Sequence, residues 1–134
     1  MLRHPVSLVL CLFSSLAAFA APVDRVYYDQ AHGEFPLGGA VSDTANTLNL
    51  EVVASAEPIT ADKLKGIRLL YLRAPSQEIG AEERAAIVDF VRTGGSLLLV
   101  LDQEQRQSLA KTKVNEIIAP FGLQLTADTE YLHN

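Results

Sequence analysis

Two short, almost wholly apolar runs confine this chain to few architectures: Ile67-Arg68-Leu69-Leu70-Tyr71-Leu72 and Ser96-Leu97-Leu98-Leu99-Val100-Leu101. Each lies between turn signals, is too short for a helix, and lacks the alternation of a strand with one wet face. Both are therefore expected to be strands buried on both faces of a sheet. Between them, residues 81–93 predict an amphipathic helix, with Ile87, Phe90 and Val91 on one stripe at i, i+3, i+4 spacing. Glu82 and Glu83 suit its positive N-terminal end, and Gly94-Gly95 stops it. A strand–helix–strand unit with apolar strands implies parallel pairing through a crossover helix.

The flanking segments repeat the alternation. Arg25-Val26-Tyr27-Tyr28-Asp29 and Leu50-Glu51-Val52-Val53-Ala54 read as strands, joined by a weak helix over residues 39–48 with Ser42, Asp43 and Thr44 as possible caps. Residues 59–64 suit one or two helical turns with Thr60 as N-cap and Gly66 as the residue beyond. Polar helical turns are expected over 103–109, and Val114, Ile117, Ile118 and Phe121 form a second amphipathic set that ends at Gly122. Leu123-Gln124-Leu125 begins a further strand. The fold class is α/β, a flavodoxin-like parallel sheet of about five strands with helices on both faces.

The N-terminus predicts export. Arg3 and His4 precede an uncharged stretch over residues 8–20, and Ala18-Phe19-Ala20 offers a small-x-small cleavage site, the tripartite pattern of a signal peptide. A membrane anchor fits less well. The uncharged run 5–23 contains Pro5, Ser7, Ser14, Ser15 and Pro22 and is followed only by Asp24-Arg25. A lipoprotein reading of Cys11 would place Leu10 where a small residue is wanted. Residues 1–20 are thus expected to leave, and residues 21–134 to form one periplasmic or secreted domain without a stable membrane span. That domain carries 16 acidic and 10 basic residues and no cysteine, since Cys11 is the only one in the chain. It therefore has neither a disulfide nor a thiol nucleophile. An acidic chain without a Lys/Arg cluster is also a poor partner for nucleic acid.

Chemistry concentrates where the first strand ends. Asp29-Gln30-Ala31-His32-Gly33-Glu34 places two carboxylates, an imidazole and a glycine at a strand-to-loop exit, the position where open α/β sheets tend to bind ligands. Asp29, His32, Gly33 and Glu34 are the first ligand-binding candidates. Asp102 and Glu104, after the later apolar run, face the same sheet edge and extend the set, with Arg73 or Arg106 as counter-ion. His32 has the pKa for a general base, and equally for a loop histidine bonded to backbone. Asp29 can equally cap its own turn. Three possible ligands within six residues, without H-x-H or H-E-x-x-H spacing, are an incomplete metal set, so neither metal nor cofactor is assigned. Gly33, Gly38 and Gly39 without a following Lys-Ser/Thr do not form a phosphate loop.

The Asp29–Glu34 loop, the block Ile87-Val88-Asp89-Phe90-Val91-Arg92-Thr93-Gly94-Gly95-Ser96-Leu97-Leu98-Leu99-Val100, and Val114-Asn115-Glu116-Ile117-Ile118-Ala119-Pro120-Phe121-Gly122-Leu123 together resemble the class I glutamine amidotransferase-like fold. The likeness is closer to non-amidotransferase branches: bacterial domains of unknown function related to the gliding-motility auxiliary protein, and the N-terminal domain of an intraflagellar-transport subunit. The amidotransferases carry a cysteine on a turn after a central strand. Here that turn reads Asp102-Gln103-Glu104-Gln105-Arg106, which excludes glutamine hydrolysis by that mechanism. The resembling domains also continue where Tyr131-Leu132-His133-Asn134 closes this sequence, so an incomplete domain is expected. With the export signal and the missing nucleophile, the resemblance points to a non-catalytic domain of the cell envelope that binds a small molecule or an envelope protein through the loop after the first strand. The alternative is a hydrolase in which His32 with Asp29 or Glu34 activates water, possibly with a metal.

Overall fold

The computed structural model describes residues 23–102 and 108–127. The expected signal peptide, Glu104, Arg106, Tyr131 and His133 lie outside them. Four strands, β1 (Arg25–Asp29), β2 (Glu51–Ser55), β3 (Leu69–Arg73) and β4 (Ser96–Val100), form one parallel sheet in the order β2-β1-β3-β4. The two apolar runs are adjacent, with Leu70 beside Leu97 and Leu72 beside Leu99. Helix α2 (Ala81–Arg92) connects them as the sequence predicts. Chain order reverses between β1 and β3, so the carboxyl ends of these two strands flank the topological switch point.

Strand alternation divides the side chains between two layers. Tyr27, Leu70 and Leu72 join Ile87 and Phe90 of α2 and Val114, Ile117 and Ile118 of α4 (Val114–Ile118) in the main core, with Leu97 and Leu99 packed against it. Helix α1 (Gly39–Thr47) lies on the other face, where it buries Ala45. Its cap differs from expectation. Gly38 is the N-cap, while Thr44 and Thr47 sit inside the helix and bond back to the carbonyls of Ala40 and Asp43 at 2.8 Å. At α2 the stop is as predicted. Gly94 has φ +105°, and a Cβ on Gly95 would overlap the Phe90 ring, so strand and helix approach closely only because that position is glycine.

Two expectations about the sheet are corrected. The run 96–101 was expected to be buried on both faces, yet Leu98 and Val100 are 42% and 40% exposed, because α1 lies over the β1–β2 side of its layer and leaves β4 open. The second concerns Leu123-Gln124-Leu125, which does not join the sheet of four strands formed by the described residues. Asn115 of α4 takes up both backbone groups of Leu125, donating from Nδ2 to its carbonyl and accepting its N–H at Oδ1, each at 2.9 Å. A residue satisfied by an amide side chain has no groups left for a strand partner. Between them, Pro120 lies in a 3-10 turn over Ala119–Phe121 that closes α4, and Gly122 follows at φ +74°. The polar turns expected over 103–109 fall mostly outside the described residues, and a one-turn helix, α3 (Leu109–Thr112), follows them.

This layering makes unequal demands on neighbouring leucines. Leu72→Ala, at a fully buried position, is expected to cost about 2–5 kcal/mol. Leu98→Thr, on the open face, should change stability by less than about 0.5 kcal/mol. Urea unfolding of both variants checks this, and equal losses would mean that β4 is covered on both sides.

Candidate functional site

Strand β1 delivers Asp29 to the carboxyl edge of the sheet on the same side as Tyr27, facing α2. The chain then turns so that His32 and Glu34 fold back over it. All three residues are buried, Asp29 completely. The His32 ring lies between two acids, with Nδ1 2.6 Å from Asp29 Oδ2 and Nε2 3.2 Å from Glu83 Oε2. Each loop carboxylate has one oxygen held by the backbone. The N–H of Ala31 reaches Asp29 Oδ1 at 3.3 Å, and the N–H of His32 reaches Glu34 Oε2 at 2.8 Å. Glu34 Oε1 points inward, 4.0 Å from His32 Nδ1, and receives no N–H or O–H donor.

The loop is clamped from the neighbouring strand exit. The carbonyl of His32 accepts the N–H groups of Ser76 and Gln77 at 2.9 and 3.0 Å, and Ser76 Oγ donates to the Gly33 carbonyl at 3.1 Å. Gly33 has φ +72°, and a Cβ there would overlap Ser76 Oγ, so this candidate residue is required by the backbone path. Glu83 fastens the third side. Its Oε2 accepts the N–H of Gly80 at 2.9 Å at the start of α2, and its Oε1 accepts the N–H of Ile59 at 2.7 Å. Sequence reasoning placed Glu83 at the helix start but not in the site. The Gly80-x-x-Glu83 spacing of N-cap and N3 was the available signal.

The other candidates are placed differently. Asp102 is exposed just beyond β4, at the same carboxyl end of the sheet, and is not in the Asp29–His32–Glu34 cluster. The Arg73 guanidinium lies over the Phe35 ring, 5.4 Å from the centroid.

Electrostatics follow from burial and from this geometry. Burial alone would lower the His32 pKa, but the hydrogen bond and charge of Asp29, then of Glu83, outweigh it and lift it to about 9. Burial, then the adjacent Asp29, raise Glu34 to about 8. Burial would raise Asp29 as well, but hydrogen bonds from His32 and Glu34 and the His32 charge hold it below the usual carboxylate value. At neutral pH the cluster is thus an imidazolium between two carboxylates, with Glu34 protonated against Asp29. Two buried acids at such close range cannot both ionise without a cation between them.

The architecture defines a doubly wound α/β domain whose switch point is filled by a closed acid–histidine network. The chain belongs to the IFT52 GIFT domain family, whose model matches residues 45–131. That match begins after the loop bearing Asp29, His32 and Glu34. Among solved structures, the "mmIFT52 N-terminal domain" is similar in fold, with a TM-score of 0.63 at 19% identity over 73% of this chain. The chain spans 44% of that structure's length. No curated protein matches the chain.

Both raised pKa values make the folded state bind more protons than the unfolded one, so stability falls as pH rises. The Glu34 contribution declines from its unfolded value of 4.5 towards about 8, and the His32 contribution from 6.5 to about 9. In chelator-treated protein, Tm should be highest near pH 5 and fall steadily to pH 9. Glu34→Gln, an isostere of the protonated acid, should flatten the lower part of that decline. His32→Ala strands Asp29 and should cost about 3 kcal/mol or more at pH 6. A flat Tm between pH 5 and 9 would contradict this charge assignment.

Proposed function

We propose that this chain is an exported, non-catalytic assembly domain of the cell envelope that binds a partner polypeptide. The observation that carries the proposal is an exposed apolar strip from the loop after β1 to the sheet edge. Phe35, Leu98 and Val100 are 47%, 42% and 40% exposed. Arg73 stacks on Phe35 and pairs in register with Val100, and Tyr71 pairs with Leu98, so the strip is continuous across β3 and β4. Among the described residues β4 pairs only with β3, and its sequence, Ser96-Leu97-Leu98-Leu99-Val100, carries none of the charges or prolines that usually blunt an edge. A cleft of about 580 Å³ beside that edge is lined by Leu97, Leu99, Ile118, Phe121, Leu123 and Leu125. An added strand with alternate side chains in the cleft suits this geometry.

Membership of the IFT52 GIFT family supports an assembly role. Export is supported by the tripartite N-terminal pattern, and among the described residues no helix is long and apolar enough to cross a membrane. The loop after β1 contributes to the strip through Phe35, while its acids and histidine stabilise the loop from behind. The hydrolase alternative needs a neutral His32 with a free lone pair. In the metal-free cluster both ring nitrogens face carboxylates, which disfavours that role.

A photo-reactive residue at Leu98 in exporting cells should give a discrete crosslinked product that Val100→Asp removes, whereas the same probe at exposed Glu82 should not. N-terminal sequencing of the exported protein should begin at Ala21. Product at both positions or at neither would contradict the docking strip, and retention of Met1 would contradict export.

A further inference from the structure

The inward side of the switch-point cluster has the form of a cation site. Three potential ligand atoms, one each from Asp29, His32 and Glu34, lie within 4.8 Å of one another. Backbone N–H groups occupy Asp29 Oδ1 and Glu34 Oε2, which leaves each acid a single oxygen turned inward. Glu34 Oε1 is the independent sign. It is buried, no N–H or O–H is donated to it, and it faces His32 Nδ1 and the Asp29 carboxylate. Beside another buried acid, that oxygen is satisfied only by a proton of its own or by a cation in the proton's place.

The surroundings supply what a metal-bound histidine requires. A ligating imidazole generally donates its second ring N–H to a carboxylate, which fixes tautomer and orientation. Glu83 Oε2 stands 3.2 Å from His32 Nε2 and is itself held by the N–H of Gly80. The clamp through Ser76 and Gln77 fixes the backbone between the ligands. Ligands about 2.0–2.2 Å from a tetrahedral ion stand roughly 3.3 Å apart. The observed separations of 2.6 Å for Asp29–His32 and 4.0 Å for His32–Glu34 bracket that value, so small side-chain rotations suffice.

We propose that Asp29 Oδ2, His32 Nδ1 and Glu34 Oε1 bind a first-row divalent cation, zinc or manganese in type, with Glu83 as the positioning carboxylate for His32. One nitrogen and two oxygens suit such borderline ions. Calcium requires six to eight oxygens, and magnesium prefers an octahedral shell of oxygens that includes several waters, so neither matches one nitrogen and two carboxylate oxygens. The ion would tie the exits of β1 and β3 to the start of α2, a structural role that is independent of the docking strip.

The test uses the full mature chain, stripped with chelator and dialysed against Zn²⁺, Co²⁺ or Mn²⁺, with Ca²⁺ and Mg²⁺ as controls. The expected result is one Zn²⁺ per chain by elemental analysis, a Tm rise of at least about 5 °C at saturating ion, and a visible d–d band with Co²⁺. Glu34→Gln should weaken Zn²⁺ binding at least 10-fold while the metal-free Tm stays equal or rises. Stoichiometry well below one with all three transition ions would overturn the proposal and leave protons as the only occupants. Undiminished binding by a folded Glu34→Gln variant would overturn it as well, placing the ion elsewhere on the surface. Should that variant not fold, the stoichiometry and the Co²⁺ spectrum of the native chain decide.

Discussion

The contact between Asp29 and His32, 2.6 Å apart in a position closed to solvent, is the interaction on which the carboxyl end of this sheet depends. A buried carboxylate at a strand end is costly unless paired, and pairing it brings His32 inward. Once inward, the His32 backbone carbonyl accepts two N–H groups from the exit of β3, and its ring reaches Glu83 at the start of α2. One ion pair thereby helps hold together the loop after β1, the exit of β3 and the start of α2. Glu34, which supplies a carboxylate oxygen to the His32 N–H, completes the turn.

The network determines what lines the switch point of this domain. In doubly wound sheets the space between the reversing strands is where ligands enter. Here that space holds side chains bonded to one another, and Gly33 at φ +72° allows Ser76 to approach the loop backbone. The exposed apolar surface lies elsewhere, along Phe35, Arg73, Leu98 and Val100, on the face that α1 covers only in part. The interior of the site and the open strip are thus two consequences of one topology. The first stabilises the loop, and the second is displayed by it and by β4.

Much of the fold was legible because the relevant signals are local. The apolar stripe of α2, its acidic first turn and the Gly94-Gly95 stop need no long-range information, and the two flanking runs pair as their composition predicts. The segment at Leu123 is not a strand for a reason no period reveals. Leu123-Gln124-Leu125 has the pattern of a strand, but Asn115, ten positions from Leu125, takes its backbone groups first. The exposure of β4 was equally hidden, since Leu97 to Val100 read as buried whatever covers them. In the site, Asp29, His32, Gly33 and Glu34 could be grouped because they lie within six residues. Glu83 could not, being 51 positions from His32 and brought near only by the crossover.

The protonation state of His32 tests the account most directly. Nitrogen-detected NMR of the chelator-treated chain at pH 7 should show both His32 ring nitrogens protonated, with slowly exchanging N–H protons and a titration midpoint near 9. A neutral His32 ring titrating near the ordinary 6.5, with rapid solvent exchange, would contradict a closed ionic network at the switch point.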